Sequence, residues 1–229
     1  VVINCAGLWG AEVSAMMGGH LPVLAIEHEY LVTDTVPALA GLDRELPVLR
    51  DLSIPTYLRQ EGDGLLVACY ENDTVFWGQG GIPRDFGQEL LPPDLDRAAP
   101  SLEATTALVP AVGQVGVKTV VNGPTGRSPD LQALVGPAHG MRDYFVLCGL
   151  SGAFLQSSLT RHLAEWIVEG EPGIDLTPVD VRRFGPYATK RYATARVGAG
   201  HAYSSSAFHP HTEPAAGRPA RTSPLHDRL

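Results

Sequence analysis

Val1-Val2-Ile3-Asn4-Cys5-Ala6-Gly7-Leu8-Trp9 opens the chain, and it reads as a buried strand that turns at Ala6-Gly7 into a helix. The run Val1 to Cys5 is rich in β-branched residues, which suits a strand covered on both faces. From Leu8 to Met17 the apolar residues Leu8, Val13, Met16 and Met17 fall at helical spacing, and Gly18-Gly19 ends the run. Strand, glycine turn and helix in that order form the connection of an α/β layer. The chain begins at Val1 inside an apolar run, without Met or a polar lead-in, so a segment of a longer polypeptide is expected.

The same arrangement recurs far along the chain. Asp143 to Cys148 reads as a short apolar strand, followed by Gly149-Leu150-Ser151-Gly152. A helix is expected from Ala153 to Glu169, with Phe154, Leu155, Leu159, Leu163 and Ile167 on one face and Gly170 as its stop. Between the two units the period changes to that of strands: Leu24 to Thr33, Thr56 to Gln60, Leu65 to Tyr70 and Val115 to Val121. Gly62-Asp63-Gly64 is a hairpin signal between two of them. Leu95 to Leu108 reads as a helix that Pro100 is expected to interrupt or kink. From about Ala188 to Leu229 the residues show little periodicity and read as a linker or wrapping tail. No internal repeat is visible. The fold class expected is mixed α/β (α+β).

Composition narrows the function. The chain has 229 residues, is 44% hydrophobic and carries a formal net charge of −8. That charge argues against nucleic acid or an anionic membrane as partner, because either needs a basic footprint. No apolar run is long enough to span a bilayer as a helix. Cys5, Cys69 and Cys148 are odd in number, widely spaced and set in apolar surroundings, which disfavours a disulfide framework or a zinc site and suits a reducing compartment.

Two glycine junctions, Asn4 to Gly10 and Cys148 to Ala153, can bring backbone close to a ligand at a helix N-terminus; they can equally be plain tight turns. In Ile26-Glu27-His28-Glu29-Tyr30 the alternation places His28 and Tyr30 on one side of a strand. Tyr57 and Arg59 share a face of the next strand. A histidine, tyrosines and an arginine together suit an amino-acid site, with the arginine holding a carboxylate and the others managing an amine proton. Core packing is the competing reading. His139, His162, His201, His209, His211 and His226 are placed in loops, on an exposed helix face or in the tail, and no metal site is assigned. Ser151 lacks the full pattern of a nucleophile elbow.

The opening segment resembles the "VVNxAGxW" segment of the glycine-oxidase/D-amino-acid-oxidase superfamily of flavoproteins, and within it the dimethylglycine and sarcosine dehydrogenases. Further stretches resemble that family in order: Glu27 to Thr33, Leu46 to Asp51, Tyr57 to Leu65, Val121-Asn122-Gly123-Pro124, Ser128-Pro129-Asp130 with Val135-Gly136-Pro137, Glu165-Trp166-Ile167 and Asp180 to Phe184. Ala216-Gly217-Arg218-Pro219 with Ser223-Pro224-Leu225-His226 is similar to the segment leading into a folate-binding aminomethyltransferase-like module.

The resemblance implies a Rossmann-like FAD domain over residues 1–20 and 123–170, a mostly antiparallel substrate domain over 21–122, and a tail over 171–229 leading toward a folate-binding module. It implies oxidative demethylation of an N-methylglycine, with hydride passing to FAD and the carbon released as formaldehyde or passed to tetrahydrofolate. His28 and Tyr57 would be the catalytic pair, with Tyr30 and Arg59 binding substrate. Ala6, Gly7, Trp9, Gly149, Leu150, Ser151 and Gly152 would meet the flavin. An electron-transfer flavoprotein would be the possible partner. The compartment would be bacterial cytoplasm, or the mitochondrial matrix in a eukaryote. Three features depart from the pattern. The ADP-binding G-x-G-x-x-G is absent, together with the histidine that links flavin covalently in related enzymes; the segment from Gly149 to Ser158 is poorer in glycine; and Ala133 replaces a usual proline. The alternatives from other classes are a non-catalytic regulatory relative and a scaffold presenting the tail to a folate-binding partner.

Overall fold

In chain order the strands are β1 (Val2–Asn4), β2 (Leu24–Thr33), β3 (Leu49–Asp51), β4 (Thr56–Glu61), β5 (Gly64–Cys69), β6 (Phe76–Trp77), β7 (Val117–Arg127), β8 (Leu134–Pro137) and β9 (Tyr144–Cys148). The helices are α1 (Gly10–Met16), α2 (Leu95–Leu108), α3 (Phe154–Glu169) and α4 (Lys190–Tyr203). The computed structural model describes residues 1–71, 73–149, 154–203, 215–218 and 222–228.

The two strand–glycine–helix units are neighbours in one small sheet. Its order is β1-β9-β8, with β1 parallel to β9 (Asn4 beside Val146) and β8 antiparallel to β9. Because β1 and β9 run in the same direction, the turns after them lie side by side at one end of the sheet. Alternation along β9 fills both faces. Tyr144, Val146 and Cys148 pack with Leu21, Val23, Leu134 and Val181 on one side, whereas Val135 and Leu147 pack with Leu163 and Leu176 on the other. α3 covers that second side through Leu159, Leu163, Trp166 and Ile167.

The second sheet is antiparallel and runs β3-β4-β5-β2, with β7 on the far side of β2 and β6 also pairing with β2. β4 and β5 form the expected hairpin: Glu61 pairs with Gly64, and Gly62 takes φ 59°, the first central position of a type II′ turn. Gly64 also lets the strand approach Thr33, since a Cβ there would lie 2.6 Å from the Thr33 carbonyl oxygen. One face of this sheet is dry. Leu31, Leu58, Leu65, Val67 and Cys69 pack with Ala98 of α2 and Val112. The other face carries His28, Tyr30 and Tyr57.

Four expectations change. The opening run, read as a strand covered on both faces, is the edge strand β1, and Val1, Val2 and Ile3 are exposed. β7 runs to Arg127, six residues past its expected end, because the whole length of β2 is available to pair with it. Pro124 is accommodated opposite Glu27. Pro100 lies within α2 without ending it; a proline removes a single i→i−4 bond, and the Asp94 side chain caps the helix by accepting from the Arg97 N–H at 3.1 Å. The stretch read as linker from Ala188 contains α4, with Ala188, Ala193, Val197 and His201 buried. Its small Ala and Gly residues pack closely without the large apolar stripe that marks an amphipathic helix. No helix of the described residues is long and apolar enough to cross a membrane.

Candidate functional site

β2 supplies the centre of the site through alternation. Glu27, Glu29 and Leu31 point to α2, and His28, Tyr30 and Val32 to the opposite face. On the α2 side Glu29 is fully buried and accepts from Arg97 Nη2 at 2.6 Å and from the Asp94 N–H at 2.9 Å. Burial raises its carboxyl above the usual range, against the lowering effect of Asp94 and Arg97. Arg97 Nη1 also reaches Glu27 Oε2 at 3.3 Å. This pair anchors β2 to α2 and fixes which face His28 takes.

On the other face Tyr30 and Tyr57 lie one strand apart, each paired with Ala68 of β5, whose small side chain separates them. Arg50 of β3 pairs with Tyr57, and its Nη1 donates to the Tyr70 hydroxyl at 2.7 Å. The Tyr70 ring stands 5.5 Å from the His28 ring and 6.0 Å from Tyr57. Burial first, then Tyr70, push the Tyr57 hydroxyl above its ordinary value, so it remains a phenol donor at neutral pH.

His28 is half-buried, and its Nδ1 lies 2.9 Å from Glu71 Oε2. Glu71 Oε1 accepts the Glu29 N–H at 2.7 Å, and Oε2 also accepts from His201 Nε2 at 3.3 Å. Burial alone would raise the Glu71 carboxyl, but the hydrogen bonds from His201 and His28 outweigh it and hold the group at about 2. An ionised carboxylate only accepts, so His28 Nδ1 carries its proton. In the neutral ring Nε2 is then the free lone pair. Opposite His28 stands Gly123, where a Cβ would meet nothing within 4 Å, so this side of the histidine is open.

The glycine turns lie along the same strand. A crevice of about 250 Å³ is lined by Cys5, Gly7, Leu8, Pro124, Thr125, Gly126, Cys148 and Gly149. Thr125 of this lining pairs with Ile26, two positions before His28 on the same face of β2, so the crevice borders the row that holds His28. Asn4 shapes the first turn: its Oδ1 accepts the Ala6 N–H at 3.1 Å, and its Nδ2 donates to Gly10 O and Tyr144 Oη at 2.8 and 2.9 Å. Gly7 and Gly149 take φ 56° and 67°, and Gly7 faces open space.

A family model described as FAD dependent oxidoreductase matches residues 1–166, and one described as FAD dependent oxidoreductase central domain matches residues 169–223. The chain belongs to the FAD dependent oxidoreductase family. It is 39% identical, over its whole length, to mitochondrial dimethylglycine dehydrogenase of Mus musculus and spans 27% of that protein. It is 35% identical to mitochondrial sarcosine dehydrogenase of Mus musculus, again over its whole length and 25% of that protein. The chain thus spans about a quarter of the length of these curated relatives. L-proline dehydrogenase from P. horikoshii has the same fold, with a TM-score of 0.62 at 20% identity over 80% of this chain and 46% of that one.

The residues present fit one side of the flavin that this family carries. Ala6-Gly7 and Gly149 are adjacent backbone turns at the ends of parallel strands, where α/β sheets receive ligands, and the crevice at Gly7 and Gly149 includes Thr125, which shares the His28 face of the second sheet. Trp9 borders this turn, its indole Nε1 donating to Pro83 O at 3.3 Å. Leu150, Ser151 and Gly152 lie outside the described residues.

His28, Tyr30 and Tyr57 are thus brought together. Arg59 is not part of that cluster: it sits four strand positions from the His28 row, about 13 Å at strand rise, and pairs with Glu61 at 2.6 Å. Reading the sequence alone missed Tyr70, Glu71, Arg50 and Arg127. Arg50 stands in a quoted family segment, whereas Tyr70-Glu71 follow a strand end with no motif to mark them. Arg127 ends β7, where burial lowers its guanidinium and Tyr70 and Glu71 act in the opposite sense. His201 was placed with the exposed histidines and is in fact 1% exposed against Glu71.

Proposed function

We propose that this chain is a segment of an FAD-dependent amine dehydrogenase that demethylates an N-methylated glycine, dimethylglycine or sarcosine. The observation that carries the reading is a half-buried histidine, oriented by a buried carboxylate and flanked by two tyrosines, on the face that adjoins the glycine turns. Bound flavin supplies the two-electron acceptor for hydride from the N-methyl carbon.

The chain's own residues manage protons and orientation. Hydride leaves a methylamine only when the nitrogen lone pair is free to form the C=N bond. His28 Nε2 takes the ammonium proton, and Glu71 stabilises the imidazolium that results. The Tyr57 phenol and Tyr30 flank the amine and orient it. Arg59, two strand positions beyond Tyr57 on the same face, is the candidate for the substrate carboxylate; to reach a substrate whose amine is at His28 it must leave Glu61 and extend its side chain along the sheet, which is open to it because both side chains are 45% exposed. The iminium then adds water and gives formaldehyde and the demethylated amine, or passes its carbon to tetrahydrofolate on a downstream folate-binding module. An electron-transfer flavoprotein is the acceptor that returns FAD to its oxidised state. The compartment is bacterial cytoplasm, or the mitochondrial matrix in a eukaryote.

The test is anaerobic stopped-flow reduction of FAD by dimethylglycine and by sarcosine in the complete flavoprotein. His28→Ala is expected to slow reduction by roughly 10²–10⁴-fold, the contribution of a positioned general base. A rate within threefold of the parent would remove His28 from the mechanism. A parent protein whose flavin neither amine reduces would overturn the substrate class.

A further inference from the structure

Glu71 is hydrogen-bonded to two histidines, and the mechanism above uses only one. His201 comes from α4, more than a hundred residues beyond β2 in sequence, inside the segment matched by the central-domain model. Its side chain is 1% exposed, as is that of Glu71, and its ring stands edge-on to His28 with centroids 5.5 Å apart. Both rings donate to the same oxygen, Oε2 of Glu71. A buried carboxylate in this position needs donors, and these two with the Glu29 N–H satisfy both of its oxygens.

We propose that Glu71 and His201 are positioning residues, forming with His28 a His–Glu–His relay through which α4 sets the proton affinity of His28. The proposal deepens the amine-dehydrogenase reading and rests on it for its kinetic arm. The physical argument is charge sharing. One carboxylate charge serves two imidazoles, so a proton taken up by one ring opposes a second on the other, and the two sites titrate as a pair. With His201 in place, Glu71 divides its attraction and His28 is a weaker base than it would be with Glu71 to itself. The lone pair so tuned is that of Nε2, since Nδ1 donates to Glu71.

Other groups face this cluster. Tyr30 lies beside His28 on β2, Tyr57 on β4, and Tyr70 after β5 with Arg50 of β3 on its hydroxyl. The charges of Arg127 on β7 and of Arg97 and Glu29 at the α2 face also reach Glu71. The fixed charges of the two arginines favour an ionised Glu71, and burial raises the Tyr57 phenol. Glu71, held at about 2, stays an ionised acceptor, so the proposed coupling is between the His28 and His201 rings. The three ligand atoms lie within 4.8 Å of one another, a spacing that a divalent cation also fits. The relay is favoured because one nitrogen of each ring, Nδ1 of His28 and Nε2 of His201, is already hydrogen-bonded to Glu71.

The test uses the complete FAD-loaded protein. The pH dependence of flavin reduction by dimethylglycine is measured in the parent, Glu71→Gln, His201→Phe and His201→Gln. Glu71→Gln removes the charge and is expected to move the midpoint down by about one pH unit and to slow reduction more than tenfold at saturating amine. His201→Phe leaves Glu71 to His28 alone and is expected to move the midpoint up by about half a unit. His201→Gln keeps an N–H donor and is expected to return most of the way to the parent profile. A midpoint unchanged in both His201 variants overturns the relay. Should Glu71→Gln not accumulate, the contrast between the His201 variants carries the same decision.

A second measurement needs no turnover. Selective ¹⁵N-histidine spectra, with His28→Gln for assignment, should show the Nδ1–H form of His28 in the parent and a mixture of tautomers in Glu71→Gln. The same mixture in the parent overturns the relay even if the amine reading stands. Conversely, a parent flavin inert to amines with the expected tautomer pattern sinks the substrate assignment alone. Zinc isolated stoichiometrically with the parent and lost in Glu71→Gln would replace the relay with a metal site.

Discussion

Replacing Arg97 by methionine strands a buried carboxylate, and the structure gives the size of the effect. Arg97 is 7% exposed and donates to Glu29 at 2.6 Å and to Glu27 at 3.3 Å. The Glu29 side chain is 0% exposed, and its Oε2 has no hydrogen-bond partner among the described residues. Removing one member of such a pair costs about 3–5 kcal/mol, because the remaining charge is desolvated without compensation. In a Glu29→Gln background the same change strands no fully buried charge, because Glu27 is 20% exposed and keeps its hydrogen bond from Asn122, and it is expected to cost about 1 kcal/mol, the worth of ordinary hydrogen bonds. The coupling in the double-mutant cycle is then about 2–4 kcal/mol. The sign with pH follows from burial, which already raises the Glu29 carboxyl in the parent. A raised carboxylate favours the fold where it is protonated, and that contribution is lost as pH rises through the folded value. Arg97→Met raises the group further, so its deficit should grow from pH 5 to pH 8. Urea unfolding of the complete protein, followed by far-UV circular dichroism at both pH values, measures this. A loss below 1 kcal/mol at pH 8, or an equal loss in the Glu29→Gln background, would refute the argument.

Two further outcomes follow from other parts of the fold. Gly64→Val places a Cβ 2.6 Å from the Thr33 carbonyl oxygen and is expected to destabilise by about 1–3 kcal/mol, read as a lower urea midpoint at unchanged slope. Burial pushes the Cys148 thiol up to about 11 and Cys69 to about 12; iodoacetamide at pH 8 should therefore leave both unmodified in the native protein by mass spectrometry. Rapid native labelling of either would contradict the packing of β5 and β9.

Period and punctuation determined much of this protein from sequence. The repeated strand–glycine–helix pattern around Gly7 and Gly149, the alternation of Ile26, His28 and Tyr30, and the Gly62 turn are local features. Backbone geometry and side-chain period encode them within ten residues. They were enough for the mixed fold and the two glycine turns; the pairing of His28 with Tyr57 came only as what the family resemblance implies. Tertiary structure decided what no local pattern can carry. Glu71 reaches His28 across 43 positions and His201 across 130, and neither sits in a periodic stretch that marks it. α4 was illegible because its Ala and Gly residues bury by closeness and not by a hydrophobic stripe, so a helix that delivers a buried histidine read as tail. Arg59 showed the converse: the right face by parity, yet four strand positions from His28 and paired with Glu61. Parity selects the face of a sheet, and only the packing of distant segments selects which residues on that face meet, because a buried charge is stable solely where the fold supplies its partners.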